Sequence, residues 1–203
     1  MAPLADWRTR LADYIEGEAK PREKFGHQPR LYALTQAIGA SGTYDDDIVY
    51  AAVWLHDLGV FTGHRPEDPE ALARWDNTAY AIDCTPGLLK TFGFPPEKIA
   101  AVCECIRTHL PAFSPATLEA TILRDADILE QLGAIGIART LCKTGRDTRF
   151  ATFTAAAQSL QTALDRLPQL ITLPESRAMA EPRIKAHQRF LAALSDESDG
   201  RLF

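Results

Sequence analysis

An all-α fold is predicted by three features of the sequence. Apolar residues recur at helical spacing along most of the chain. No alternating strand pattern persists. Gly, Pro and short polar clusters interrupt the periodicity at intervals that suit short connections between helices. With 203 residues, 46% of them hydrophobic and 24% charged, the chain is long enough for one sizeable core. A single domain over residues 1–203 is expected.

The elements follow in order. Leu4, Trp7, Leu11, Tyr14 and Ile15 make one face of a first helix reaching about Ala19. A polar connection, residues 20–26, leads into a second helix from His27 to Ile38, with Pro29 in its first turn. Asp45 or Asp46 can cap a third helix. That helix is apolar throughout Val49-Tyr50-Ala51-Ala52-Val53-Trp54-Leu55 and ends at His56-Asp57. Gly59 suits a left-handed position after its last turn. Residues 61–69 read as a loop. Helices are expected over about Glu70–Cys84, Leu88–Phe92 and Pro96–Thr108, then from Thr117 to about Lys143 with a break at Gly133 or Gly136. Two more, Ala151–Leu167 and Pro174–Leu194, precede a polar, frayed tail.

Charge and targeting signals narrow the function classes. The net charge is −5 and the sequence pI is about 5.5, which argues against nonspecific binding to nucleic acid or anionic membranes. No apolar run approaches the roughly 20 residues of a spanning helix. The start of the chain lacks the pattern of a secretory signal. A cytoplasmic protein is expected, with Cys84, Cys103, Cys105 and Cys142 as reduced thiols, since none forms a Cys-x-x-Cys pair.

Two ionisable side chains at the end of a buried helix are costly unless something pairs with them. His56-Asp57 is such a pair. Imidazole nitrogen and carboxylate oxygen are both ligands for divalent metals, and an ordinary His–Asp hydrogen bond is the competing reading. Four of the five histidines (His27, His56, His64 and His109) fall at helix ends or in loops, as a site built from converging helix ends requires. His187 lies in a basic polar stretch and is assigned no chemistry. Asp125 and Asp127 sit inside an apolar helical segment about 200° apart around its axis, so one can enter a site while the other faces elsewhere. Periodicity does not choose between them. Arg139, Lys143, Arg146 and Arg149 form a basic cluster with Thr and Gly, suited to phosphate oxygens or to a solvated helix end.

The order of these motifs resembles the HD-domain metal-dependent phosphohydrolase superfamily. His27-x-x-Arg30-Leu31 is similar to its isolated His motif. Ala51–Gly59 is similar to its apolar helix ending in His-Asp, apolar residue, Gly. Arg124-Asp125-Ala126-Asp127-Ile128-Leu129 is similar to its distant Asp element, and the run into Leu132–Arg139 resembles one branch of small bacterial HD hydrolases. The resemblance covers about residues 25–140, with the helices over 150–194 packing on that core.

It implies a single compact HD-domain helical bundle holding one divalent ion (Mn, Mg, Co, Ni, Fe or Zn) on His27, His56, Asp57 and Asp127. Asp127 is favoured over Asp125 because the family's ligand follows Ala. Asp125 is then a support for the ligands, and Arg30, Lys143 and Arg146 are candidate phosphate contacts. His109 lies where two-metal members place an additional His; His64 is a second candidate for a further metal or for substrate. The implied substrate is a small phosphorylated metabolite, a nucleotide by preference. A homodimer is compatible with the sequence. Some HD nucleotidases carry an acidic residue one turn after His-Asp; here that region is Leu58-Gly59-Val60-Phe61. The alternatives are a di-iron oxygenase of the same superfamily and a non-catalytic nucleotide- or metal-binding module.

Overall fold

The computed structural model describes residues 6–144, 150–199 and 201–202. Among these the chain is helical with no strand; two isolated bridges, Thr62 with Arg65 and Thr144 with Phe150, are the only β pairing. No helix of the described residues is long and apolar enough to cross a membrane. The chain divides into two compact units, Met1–Arg124 and Asp125–Phe203.

In the first unit α1 (Trp7–Glu18), α2 (His27–Gly39) and α6 (Ile99–Thr108) pack on α3 (Asp46–Leu55), and α5 (Asn77–Phe92) packs on α6 and α1. A short helix, α4 (Pro69–Ala73), precedes α5. Leu11, Ile15, Leu31, Val49, Val53, Leu55, Leu89, Val102 and Ile106 are fully buried between these helices, which is the main source of stability. Asp45 caps α3 by accepting from the Asp47 N–H. The acids that follow suit the positive end of the helix dipole and also bind cations: Arg8 reaches Asp46 at 2.7 Å and Asp47 at 2.6 Å, while Lys98 reaches Asp47 at 2.9 Å. The beginning of α3 is thus fastened to α1 and to the turn before α6.

The helix anticipated over Glu70–Cys84 is divided, because the Asp76 side chain accepts from the Ala79 N–H and starts α5 afresh. From there α5 runs unbroken through Pro86 to Phe92, where Gly93, at φ +81°, ends it and the Phe94 N–H bonds back to the Leu89 carbonyl. Gly59 is not left-handed; Gly63, Gly93 and Gly133 are the described glycines with positive φ. It lies in a 3-10 turn, Leu58–Val60, pressed on the start of α5. A Cβ at Gly59 would stand 2.6 Å from the Asn77 carbonyl oxygen, so close approach rather than φ demands glycine.

The division between the units falls within α7 (Leu118–Glu130). In the second unit α8 (Gly133–Leu141), α9 (Phe153–Arg166) and α10 (Pro174–Ser198) pack against one another. The break expected at Gly133 is present: at φ +67° it starts α8, and a Cβ there would lie 3.0 Å from the Arg183 backbone. The tail expected to fray from Ser195 continues α10 to Ser198.

Candidate metal centre

The apolar run of α3 buries every residue from Val49 to Leu55 and delivers His56 as the helix C-cap, its own N–H still bonded to the Ala52 carbonyl. The His56 ring is 1% exposed. Its Nδ1 lies 2.8 Å from the Val53 carbonyl oxygen. A carbonyl only accepts, so the neutral ring carries its proton on Nδ1 and presents the Nε2 lone pair. Asp57 follows at φ −101°, half-turned out of the helix, its side chain 24% exposed. His27 opens α2, and its buried ring faces His56 edge to face.

These three side chains converge. His27 Nε2 stands 3.3 Å from His56 Nε2; the Asp57 Oδ2 is 3.7 Å from the first and 3.5 Å from the second. One ligand atom from each lies within 4.8 Å of the others, an arrangement that could hold a metal ion. Two imidazole nitrogens and a carboxylate oxygen suit a divalent first-row metal, and the carbonyl behind His56 is the kind of outer contact that orients a metal-ligating His.

His109 adjoins this group. It caps the C-terminus of α6 as His56 caps α3. Its Nδ1 lies 2.6 Å from the Ile106 carbonyl, three residues back as in His56, and its ring centroid is 5.1 Å from that of His56. His64 is held differently. Its Nδ1 is 2.9 Å from the Tyr80 hydroxyl and its Nε2 is 2.6 Å from the Glu18 carboxylate, so both ring nitrogens engage protein groups. Burial, followed by a hydrogen bond with Cys84, pushes the Tyr80 hydroxyl up to about 12.

Arg30 lies one turn beyond His27, and its guanidinium occupies the room left by Gly26: a Cβ there would be 3.0 Å from Nη1. In the second unit the two aspartates differ. Asp125 is fully buried and accepts from the N–H groups of Thr172, at 3.1 Å, and Leu173, at 2.8 Å. Leu173 immediately precedes α10, so Asp125 ties the segment that enters α10 to α7. Asp127, 8% exposed, accepts from Gln131 Nε2 at 3.0 Å. Lys143 follows α8 and is partly exposed; Arg146 lies outside the described residues. Asp68, at the end of the loop after His-Asp, caps α4 through the Ala71 N–H.

Several contacts around the site had no local sequence signal. Lys24 Nζ donates to the Val60 carbonyl and Trp75 Nε1 to the Gly59 carbonyl, while Arg124 Nη1 donates to the Phe113 carbonyl. Each joins residues 11 to 36 positions apart, beyond the reach of helical spacing.

No sequence-family profile matches the chain, and no curated protein matches it. Solved structures do. Bacillus subtilis YpgQ, in a structure with ADP, is 23% identical, with 96% of each chain covered and a TM-score of 0.72. A predicted HD superfamily hydrolase from an uncultured Thermotogales bacterium is 24% identical over 93% of this chain and 91% of its own, with a TM-score of 0.64. An HD-superfamily hydrolase from Bacillus thuringiensis is 18% identical over 96% and 97%, with a TM-score of 0.67. The chain therefore shares the fold of proteins described as HD-superfamily hydrolases.

Proposed function

We propose that the chain is a metal-dependent phosphohydrolase acting on a small phosphorylated metabolite, by preference a nucleotide. The convergence of His27, His56 and Asp57 within 4.8 Å carries this reading. Asp127 is proposed as the fourth ligand. The engagement of Asp125 with the backbone of Thr172 and Leu173 supports that choice, because its carboxylate already serves α10. The ion, when bound, would lower the pKa of a water and polarise a phosphoryl oxygen; Mn, Mg, Co, Ni, Fe and Zn are the candidates.

The protein's own groups do the rest. The Val53 carbonyl keeps the His56 Nε2 lone pair turned toward Asp57. The partly exposed Asp57 carboxylate can accept a proton from water and orient it. Arg30, Lys143 and Arg146 are the proposed phosphate contacts, offsetting charge that builds on the phosphoryl oxygens. The preference for a nucleotide draws on the ADP in the YpgQ structure. The reading takes residues 1–203 as one functional domain working in the cytoplasm, with a second copy of the chain as its proposed partner.

A second reading is a di-iron oxygenase, favoured by one observation: His109 stands 5.1 Å from His56, ring to ring, where it could serve a second iron. One experiment separates the two. Metal-stripped protein is reloaded with each candidate metal and assayed for phosphate or pyrophosphate release from a nucleotide panel, beside an Asp57→Ala control, and the iron form is assayed for oxygen uptake. Metal-dependent release lost in the control establishes the hydrolase. Substrate-dependent oxygen uptake without release overturns it.

A further inference from the structure

The loop that leaves His109 carries an exposed aromatic on a fixed backbone. Phe113 is 45% exposed, and its neighbours Ala112 and Ser114 are exposed too. Exposure of one Phe means little by itself; what sets this one apart is the way its backbone is held. Pro111 and Pro115 stiffen the loop. The Phe113 N–H bonds to the Leu110 carbonyl at 3.0 Å, closing a turn. Arg124, itself only 6% exposed, donates from Nη1 to the Phe113 carbonyl at 2.7 Å. A buried guanidinium therefore fixes the main chain of a residue that is itself nearly half exposed.

The position follows from the chain. A closed turn keeps the Leu110 and Phe113 Cα atoms within about 7 Å. His109 is one step of about 3.8 Å further back, so the Phe113 and His109 Cα atoms lie within about 11 Å of each other. The His109 ring abuts His56, one of the converging ligands. A phosphate held at those ligands would leave the rest of a nucleotide to extend over a span of this size. Aromatic faces accept stacked bases with little regard to sequence, because every base offers a π-face, and a ring on a pre-set backbone loses less freedom when it does so.

We propose that Phe113 is the stacking platform for the nucleobase of the substrate. This rests on the nucleotide reading above. The platform recognises a flat aromatic base, while the metal and the cations recognise phosphate.

The test measures binding of ADP and of inorganic pyrophosphate to the Mn-loaded full chain by calorimetry. Wild type should bind ADP more tightly than pyrophosphate. Phe113→Ala should weaken ADP about tenfold, the loss expected for one stacked base, and leave pyrophosphate unchanged. Phe113→Trp should keep ADP affinity, and its indole fluorescence should be quenched on addition of ADP. Phe153→Ala, at an aromatic 54% exposed in the second unit, should change neither ligand. The proposal is overturned if Phe113→Ala leaves ADP affinity intact, if it weakens both ligands equally, or if wild type binds them equally. Binding of neither ligand by wild type refutes the nucleotide reading itself, and the platform falls with it.

Discussion

His56 and His109 stand ring against ring at 5.1 Å, each capping its own helix and each with Nδ1 on the carbonyl three residues before it. Two helices thus deliver the same local device to one place. His56 also meets His27 and Asp57, which gives the two histidines different expected weights.

Replacing His56 or Asp57 by Ala should abolish retention of a divalent ion after dialysis. His109→Ala should weaken retention by about 10–100-fold, the usual range for residues that support metal ligands. Metal content by elemental analysis, with a chelating dye as competitor, measures all three. Equal losses for His56→Ala and His109→Ala would make His109 a ligand of the same ion.

Asp125 and Asp127 should separate by what they damage. Asp125→Ala leaves the N–H groups of Thr172 and Leu173 without their acceptor, at a cost of about 1–3 kcal/mol. Its denaturation midpoint should fall while metal stoichiometry is kept. Asp127→Ala should lower metal affinity with a smaller change in midpoint. Loss of metal in Asp125→Ala, with Asp127→Ala unaffected, would reverse the assignment.

Gly59→Ala places a methyl 2.6 Å from the Asn77 carbonyl oxygen. That atom is backbone and cannot swing aside, so the turn after Asp57 must shift. A loss of about 1–3 kcal/mol is expected from overpacking. Urea denaturation checks it, and a variant as stable as wild type would mean that the turn relocates freely.

His187 gives a pH prediction. It is fully buried on α10 with neither ring nitrogen hydrogen-bonded to a described residue, and burial lowers its pKa from the ordinary 6.5. The unfolded chain therefore binds this proton more readily than the folded one, and stability rises with pH across the window between the two values. The contribution is complete above about 6.5 and is lost as pH falls from there toward the lowered folded value. His187→Leu should flatten the part of the denaturation midpoint's pH dependence just below 6.5. An unchanged slope would show that other groups govern it.

Local pattern carried much of this architecture. The apolar run ending at His56-Asp57, the break at Gly133 and the long C-terminal helix all follow from helical period and glycine chemistry, and the structure contains each of them. The division of α4 from α5 was also written locally, in Asp76 as a cap, but the apolar spacing across Leu72 and Ala79 conceals it. Gly59 was legible as special and misread in kind, since close approach to Asn77 depends on tertiary packing. Within the site, His27, His56 and Asp57 were legible as motifs. The grip of Glu18 and Tyr80 on His64 was not, because those partners lie 46 and 16 residues away.

The turn behind Asp57 is tied down at successive carbonyls, Gly59 by Trp75 and Val60 by Lys24. The entropy of ordering that segment is thus spent during folding, before any ion arrives. Ion capture at this end of α3 would then be limited by shedding of water from the cation rather than by rearrangement of the protein, and its rate should follow the water-exchange rate of the metal offered.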